Sequence, residues 1–237
     1  MIALIKIINR CIPFIVILVL ILFTPRAFSL TADPEAGKDK ATTCSMCHGE
    51  DGNSIEPEWP NLASQNKQYI INSIKAFQSG ARGNCYSCHG QDDNDVELGW
   101  SSTTGQHIVA VMKTQLMTLT NQDIENIAAY YNNQSTTALE TDSTLANQGE
   151  SLYTTGNKLT GVSACIGCHG PTGRANGDLG YPSLAGQHAL YTENTLRNYA
   201  SGERQTEANN LMQILSASLS ETEIRAVSAY IQALGSQ

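Results

Sequence analysis

Three copies of the pattern Cys-x-x-Cys-His constrain this chain more than any other feature. The copies comprise Cys44, Cys47 and His48, then Cys85, Cys88 and His89, and finally Cys165, Cys168 and His169. Two thiols at this spacing can form thioether bonds to the two vinyl groups of one porphyrin, and the adjacent histidine can bind its iron. Each copy therefore predicts one covalently attached haem c, so the chain is expected to carry three.

Two other uses of paired cysteines fit the pattern less well. A structural zinc site needs four ligands in a closed tetrahedron, and three separate triplets do not sort into such sets. A thioredoxin-like redox pair is expected beside a βαβ pattern, which the sequence does not contain.

The cysteine outside the three motifs lies in a leader-like segment. Of the seven cysteines, only Cys11 is left over, and it follows the basic residues Lys6 and Arg10 within an apolar run. Small residues near Ala27 end the segment, as in a secretory signal peptide. Residues 1–29 are therefore predicted to be removed on export to the periplasm. The alternative is a retained anchor, although the apolar run is shorter than the ~20 residues of a spanning helix.

The charge of the chain restricts its partners. The net charge is −8, with 22 acidic and 14 basic residues, and the predicted leader contains three of the basic ones and no acidic one. Such acidity argues against nucleic acid and suits docking to a basic face of a redox protein, although acidity also serves solubility. Peripheral association with a membrane is left open.

The sequence contains an internal duplication. Pro60 and Pro182 are 122 residues apart, whereas Met112 and Met212 are 100 apart. Other pairs at the first spacing are Leu62 with Leu184, Gln65 with Gln187, Tyr69 with Tyr191, Gly80 with Gly202, and Arg82 with Arg204. The first half therefore has 22 additional residues between Arg82 and Met112, and they contain the middle Cys-x-x-Cys-His motif.

Helical patterns recur in both halves. Asp33 before Pro34 is a typical helix start. In each half, a hydroxyl residue with an acid three positions later precedes the last helix, as in a capping box. These pairs are Thr120 with Asp123 and Ser220 with Glu223. Apolar residues follow at helical spacing, at Ile124, Ile127, Ala128 and Tyr131, and at Ile224, Val227, Ile231 and Leu234. No strand-like alternation competes, so an all-α fold is predicted.

The repeated order of haem motif, proline, glutamine, Gly-x-Arg and methionine resembles the cytochrome c4 family of periplasmic di-haem class I cytochromes c. The resemblance covers nearly all of the chain after the leader, except the insertion. It implies two tandem class I cytochrome c domains. On this basis, domain 1 is expected at 30–132 with the insertion near 83–111, a linker at 133–143 and domain 2 at 144–237.

The resemblance also implies axial ligands and their neighbours. The expected His/Met pairs are His48 with Met112 and His169 with Met212. A thioether ligand favours ferrous iron and so raises the reduction potential. The carbonyls of Pro60 and Pro182 are expected to accept hydrogen bonds from the proximal histidines. Other expectations are packing roles for Met46 and Met117, a local hydrogen bond for His188, and propionate binding or a surface position for Arg82 and Arg204.

The middle motif departs from the family pattern. Its insertion is too short to bury a core of its own, so this haem is expected to rest on the first domain and to be more exposed. His89 is its predicted proximal ligand and His107 its predicted sixth ligand. Bis-histidine ligation would give it a lower potential than its neighbours. The alternatives are an open iron and ligation by Met117.

Together these features predict an electron carrier rather than an enzyme. It would pass single electrons between a membrane quinol-oxidising complex or a dehydrogenase and a terminal oxidase or reductase. One alternative is a peroxidase or sulfur-oxidising enzyme that uses the middle haem. Another is a subunit of a multi-haem complex or conductive filament.

Overall fold

The computed structural model describes residues 31–82, 106–175, 179–204 and 210–236, with only the backbone described for 106–110 and for Ser236. Within these ranges the fold is all-α, as predicted, apart from one isolated bridge between Asn157 and Val162. The helices are α1 Pro34–Lys40, α2 Thr42–His48, α3 Lys67–Ser79, α4 Gln106–Leu116, α5 Asn121–Asn132, α6 Ser143–Thr155, α7 Ile166–His169, α8 Ala189–Ser201, α9 Leu211–Ala217 and α10 Glu221–Ala233. A 3₁₀ turn, Leu234–Ser236, follows α10.

The predicted helix boundaries depend on local hydrogen bonds. The Asp33 side chain accepts from the backbone N–H groups of Glu35 and Ala36, and so caps α1. Reciprocal capping boxes begin α5 at Thr120 and α10 at Ser220, as the sequence predicts. The glycines that follow α3 and α8 adopt the left-handed conformation that ends a helix without strain from a side chain.

The two halves repeat one helix arrangement. In the N-terminal half (α1–α5), α1 crosses α5, and α3 packs against α4 and α5. In the C-terminal half (α6–α10), α6 crosses α10, and α8 packs against α9 and α10. Glycine permits each terminal crossing: a Cβ on Gly37 would collide with the Asn126 carbonyl, and one on Gly149 with the Ala226 carbonyl.

Each half buries its own apolar cluster. In the N-terminal half the buried members are Ala41, Ile70, Ile71, Ile74, Phe77, Leu116, Ile124, Ile127, Ala128, Tyr130 and Tyr131. In the C-terminal half they are Leu152, Tyr153, Val162, Ala185, Leu196, Ile224, Val227, Ile231 and Leu234. The apolar stripes predicted for the last helix of each half are therefore confirmed as core.

The two halves contact each other through paired side-chain amides, within one compact unit that spans 32–237. Gln187 accepts from the Asn61 N–H at 2.8 Å and donates to the Asn61 carbonyl at 3.0 Å. Its repeat partner Gln65 does the same to Ser183, at 2.7 and 2.9 Å. Both glutamines are buried, so these hydrogen bonds are shielded from competition by water.

No stretch of helix within the described ranges combines the length and apolar character that a membrane crossing requires.

Replacing Gly149 by alanine tests the α6–α10 crossing. Helix propensity alone would make Gly149→Ala stabilising by up to ~1 kcal/mol. Because the new methyl group would overlap the Ala226 carbonyl, we instead expect a loss of about 1–3 kcal/mol in the free energy of unfolding. Denaturant unfolding followed by circular dichroism measures it, with the exposed Gln148→Ala on the same helix as control. Equal or greater stability of Gly149→Ala would contradict the close crossing.

Candidate metal centres

The N-terminal site is built at the end of α2, where the chain turns at Gly49. His48 is 5% exposed, and its Nδ1 lies 2.8 Å from the Pro60 carbonyl oxygen, to which it donates. Burial lowers the pKa of His48; the Pro60 bond opposes this, and the Arg82 charge adds to the lowering. The ring is therefore neutral, and because Nδ1 is engaged, Nε2 is the nitrogen that can bind a metal.

The C-terminal site repeats this geometry at the end of α7. His169 is 6% exposed, and its Nδ1 lies 3.0 Å from the Pro182 carbonyl oxygen. Burial again lowers the pKa of the histidine more than the carbonyl bond raises it. The geometry thus agrees with the two imidazole–carbonyl hydrogen bonds implied by the resemblance.

A methionine from a separate helix packs against the same apolar cluster as the first cysteine of each site. Met112 on α4 and Cys44 on α2 are both partly buried against the N-terminal cluster. Met212 on α9 and Cys165 pack in the same way against the C-terminal cluster. In each half, a methionine and the first cysteine of the Cys-x-x-Cys-His motif therefore pack against the same buried apolar cluster.

The described cysteines are free thiols, as covalent attachment to a porphyrin requires. Cys44, Cys47, Cys165 and Cys168 are free and half-buried rather than joined in disulfides. Burial raises the pKa of the Cys44 thiol, and raises that of Cys165 to about 11, which keeps both protonated. The described residues contain no cluster of three or more histidine, cysteine or acidic side chains that could hold a bare metal ion. This donor set fits a porphyrin-bound iron better than zinc.

A buried cationic cluster lies where the two halves meet. Arg204 donates to the Tyr69 hydroxyl of the N-terminal half at 2.6 Å and to the Tyr191 hydroxyl at 3.3 Å. Arg82 donates to the same Tyr191 hydroxyl at 3.4 Å. Arg204 is 9% exposed, and its Nε has no hydrogen-bond partner within the described part of the chain. Burial alone would raise the pKa of Tyr191, but the guanidiniums of Arg204 and Arg82 outweigh it and lower that pKa. The cluster therefore carries a strong positive potential, which fits an anionic group such as a haem carboxylate.

Three residues differ from what the sequence suggests. Met46 and Met117 are not packing residues, because they are 75% and 54% exposed. His188 does not form a merely local bond: its ring Nε2 lies 2.9 Å from the Ser54 carbonyl oxygen of the other half. The repeat pairs His188 with Asn66, and that departure from symmetry was the available signal of a special environment.

The predicted middle site is outside the described residues. This applies to Cys85, Cys88 and His89 and to the side chain of His107, whose backbone lies in the first turn of α4.

Comparison with known proteins identifies a family model for the C-terminal half and relatives along most of the chain. The family model described as cytochrome c matches residues 148–235. Cytochrome c4 from Thiocapsa roseopersicina is 40% identical over 85% of this chain and 93% of its own length. A thiosulfate dehydrogenase electron acceptor from Thiomonas intermedia is 26% identical over 84% of this chain and 81% of its own.

The solved structures agree with the sequence relatives. Reduced recombinant cytochrome c4 from Pseudomonas stutzeri superposes with a TM-score of 0.68 and 34% identity, covering 85% of this chain and 98% of that one. The predicted fold of two tandem cytochrome c domains is therefore confirmed. The chain belongs to the cytochrome c4 family, and as a c-type cytochrome it is an electron carrier with covalently bound haem c.

Proposed function

We propose that this chain is an exported, periplasmic tri-haem carrier of single electrons between a quinol-oxidising complex or dehydrogenase and a terminal oxidase or reductase. The observation that carries the proposal is the repeated site: a buried neutral histidine and a methionine from another helix, in each of two packed halves. Two filled axial positions leave no room for a substrate at the iron, which favours transfer over catalysis. The relative from Thiomonas intermedia, a thiosulfate dehydrogenase electron acceptor, also supports a role in electron transfer.

In this proposal each cysteine pair binds one haem and each His/Met pair holds its iron. Cys44 and Cys47 would attach the N-terminal haem, and His48 and Met112 would bind its iron. Cys165 and Cys168 would attach the C-terminal haem, and His169 and Met212 would bind its iron. When bound, the haem iron exchanges one electron. The chain orients the imidazoles through the proline carbonyls, and a cysteine and the methionine of each site pack against a buried apolar cluster.

The middle haem is proposed to be attached by Cys85 and Cys88, with His89 and His107 as axial ligands. Helix α4 includes both His107 and Met112, which are five positions apart. Residues at that separation are about 140° apart around a helix axis. One helix can therefore contribute ligands to two different haems, because the two positions lie on different faces.

Haem stoichiometry tests the tri-haem proposal. We expect the pyridine haemochrome assay and intact mass of the purified protein to give three haems per chain. Replacing both Cys85 and Cys88 by alanine should reduce the number to two. Two haems in the unchanged protein would contradict the proposed use of the middle motif.

The proposed sixth ligand is tested in the same preparation. His107→Ala should change the electron paramagnetic resonance signal of one low-spin ferric haem and leave two unchanged. Carbon monoxide binding by the unchanged protein would instead indicate an open iron and favour the haem-enzyme alternative.

The Arg204 cluster is proposed to bind a haem propionate, since its Nε lacks a partner within the described ranges. A propionate beside Arg204 has a lowered pKa, so it stays charged through neutral pH. In Arg204→Leu we expect that pKa to rise by about 1–3 units. Because a charged propionate stabilises ferric iron, the reduction potential falls as pH rises through the pKa of the propionate. In Arg204→Leu this fall in potential should therefore occur at higher pH than in the unchanged protein.

Redox titrations across a pH series measure this shift. Arg197→Leu is the matched control, since Arg197 pairs with Glu193 and Glu221 at the protein surface. Arg204→Lys keeps the charge and should preserve most of the profile. A folded Arg204→Leu protein with an unchanged profile would show that no propionate lies against this residue.

A further inference from the structure

One peptide unit links the N-terminal metal site to the opposite half of the molecule. Its carbonyl belongs to Pro60 and accepts from His48 Nδ1 at 2.8 Å. Its N–H belongs to Asn61 and donates to Gln187 Oε1 at 2.8 Å. The proximal histidine of one half is therefore connected, through a single amide group, to a glutamine of the other half.

The same arrangement occurs in the other direction. The peptide between Pro182 and Ser183 accepts from His169 Nδ1 at 3.0 Å through its carbonyl. Its N–H donates to Gln65 Oε1 at 2.7 Å. Each half thus supplies the glutamine that ends the hydrogen-bond chain of the other half.

The glutamines are held firmly in this orientation. The Oε1 of Gln187 also accepts from the His188 N–H at 3.0 Å, and the Oε1 of Gln65 accepts from the Asn66 N–H at 2.8 Å. Each Nε2 in turn donates to a carbonyl across the contact. Since exchanging the amide oxygen and nitrogen would break all of these bonds, the oxygen must face the peptide N–H.

We propose that Gln65 and Gln187 are positioning residues that tune the reduction potential of the haem in the opposite half. The inference rests on the proposed role of His48 and His169 as iron ligands. An acceptor on a peptide N–H polarises the amide and makes its carbonyl a stronger acceptor. The stronger carbonyl increases the electron density of the histidine ring, which stabilises ferric iron and lowers the potential.

The proposal assigns each glutamine to the distant haem rather than the near one. In Gln187→Leu the potential of the N-terminal haem should rise while that of the C-terminal haem stays constant. In Gln65→Leu the reverse should hold. Outer partners of metal-ligating histidines contribute factors of 10–100, so from one amide further out we expect about a two- to tenfold change in the electron-sharing equilibrium between these two haems.

Potentiometric titration followed by NMR measures the two haems separately in the intact haem-loaded protein. A second readout is independent of electron transfer. In the ferrous, diamagnetic state the Nδ1–H proton signal of His48 should move upfield in Gln187→Leu, because its hydrogen bond to Pro60 becomes weaker. The corresponding signal of His169 should stay where it is.

Two further variants separate tuning from a loss of packing. Gln232 also bonds backbone groups, but those of Ala189 and Glu140, which are not part of either histidine chain. Gln232→Leu should therefore leave both potentials unchanged. Gln187→Glu keeps an acceptor oxygen in either protonation state, so it should not raise the potential of the N-terminal haem.

The outcomes that overturn the inference are specific. Unchanged potentials in Gln65→Leu and Gln187→Leu would show that the peptide chain carries no tuning. Equal shifts of both haems in either variant would indicate a loosened contact between the halves instead. Failure of the proposed function would be seen in the unchanged protein, as the absence of two His/Met haems.

Discussion

The hydrogen bond from a buried histidine ring to a proline carbonyl organises each half of this molecule. It fixes the ring and directs Nε2 away from the backbone, while burial keeps the ring neutral. Two further constraints follow from its position at the end of a short helix. The loop that carries the proline must return to the histidine, and the helix with the methionine must pack against the same apolar cluster as the first cysteine of the motif.

The contact between the halves is built from the same loops. The residues after Pro60 and Pro182 are those that the glutamines bond across the contact, so the parts that orient the histidines also hold the two halves together. Because the contact is made by the backbone of these loops and by glutamine side chains, it is polar although it is buried. Paired amides satisfy each other's donors and acceptors, which avoids the cost of unpaired polar groups. The cationic cluster of Arg82 and Arg204 lies at this contact and brings positive potential to it.

Local patterns allowed the sequence to predict most of the fold. The capping boxes at Thr120 and Ser220 and the apolar stripes that follow them depend on neighbouring residues only, and they were correct. Repetition gave the pairing of Met112 with Met212, which periodicity in one helix could not have distinguished from core packing.

Contacts between distant segments were harder to predict. Gln65 and Gln187 stood out as a repeated pair, but nothing local to them indicates that each bonds the loop of the other half. Similarly, the tight crossings at Gly37 and Gly149 depend on the backbone carbonyls of Asn126 and Ala226, which are distant in sequence. A glycine within a helical pattern does not by itself indicate such a contact. The exposure of Met46 was not predicted, because methionine is usually buried. Its position between the two cysteines of the motif, rather than its residue type, determines its surroundings.

The most direct test of the central claim is near-infrared magnetic circular dichroism of the oxidised protein, which distinguishes methionine-ligated from bis-histidine haem. The account predicts two equal His/Met contributions, of which Met112→Leu removes one and Met212→Leu the other. Retention of both contributions in either variant would contradict the claim that each half holds its iron between a carbonyl-anchored histidine and its own methionine.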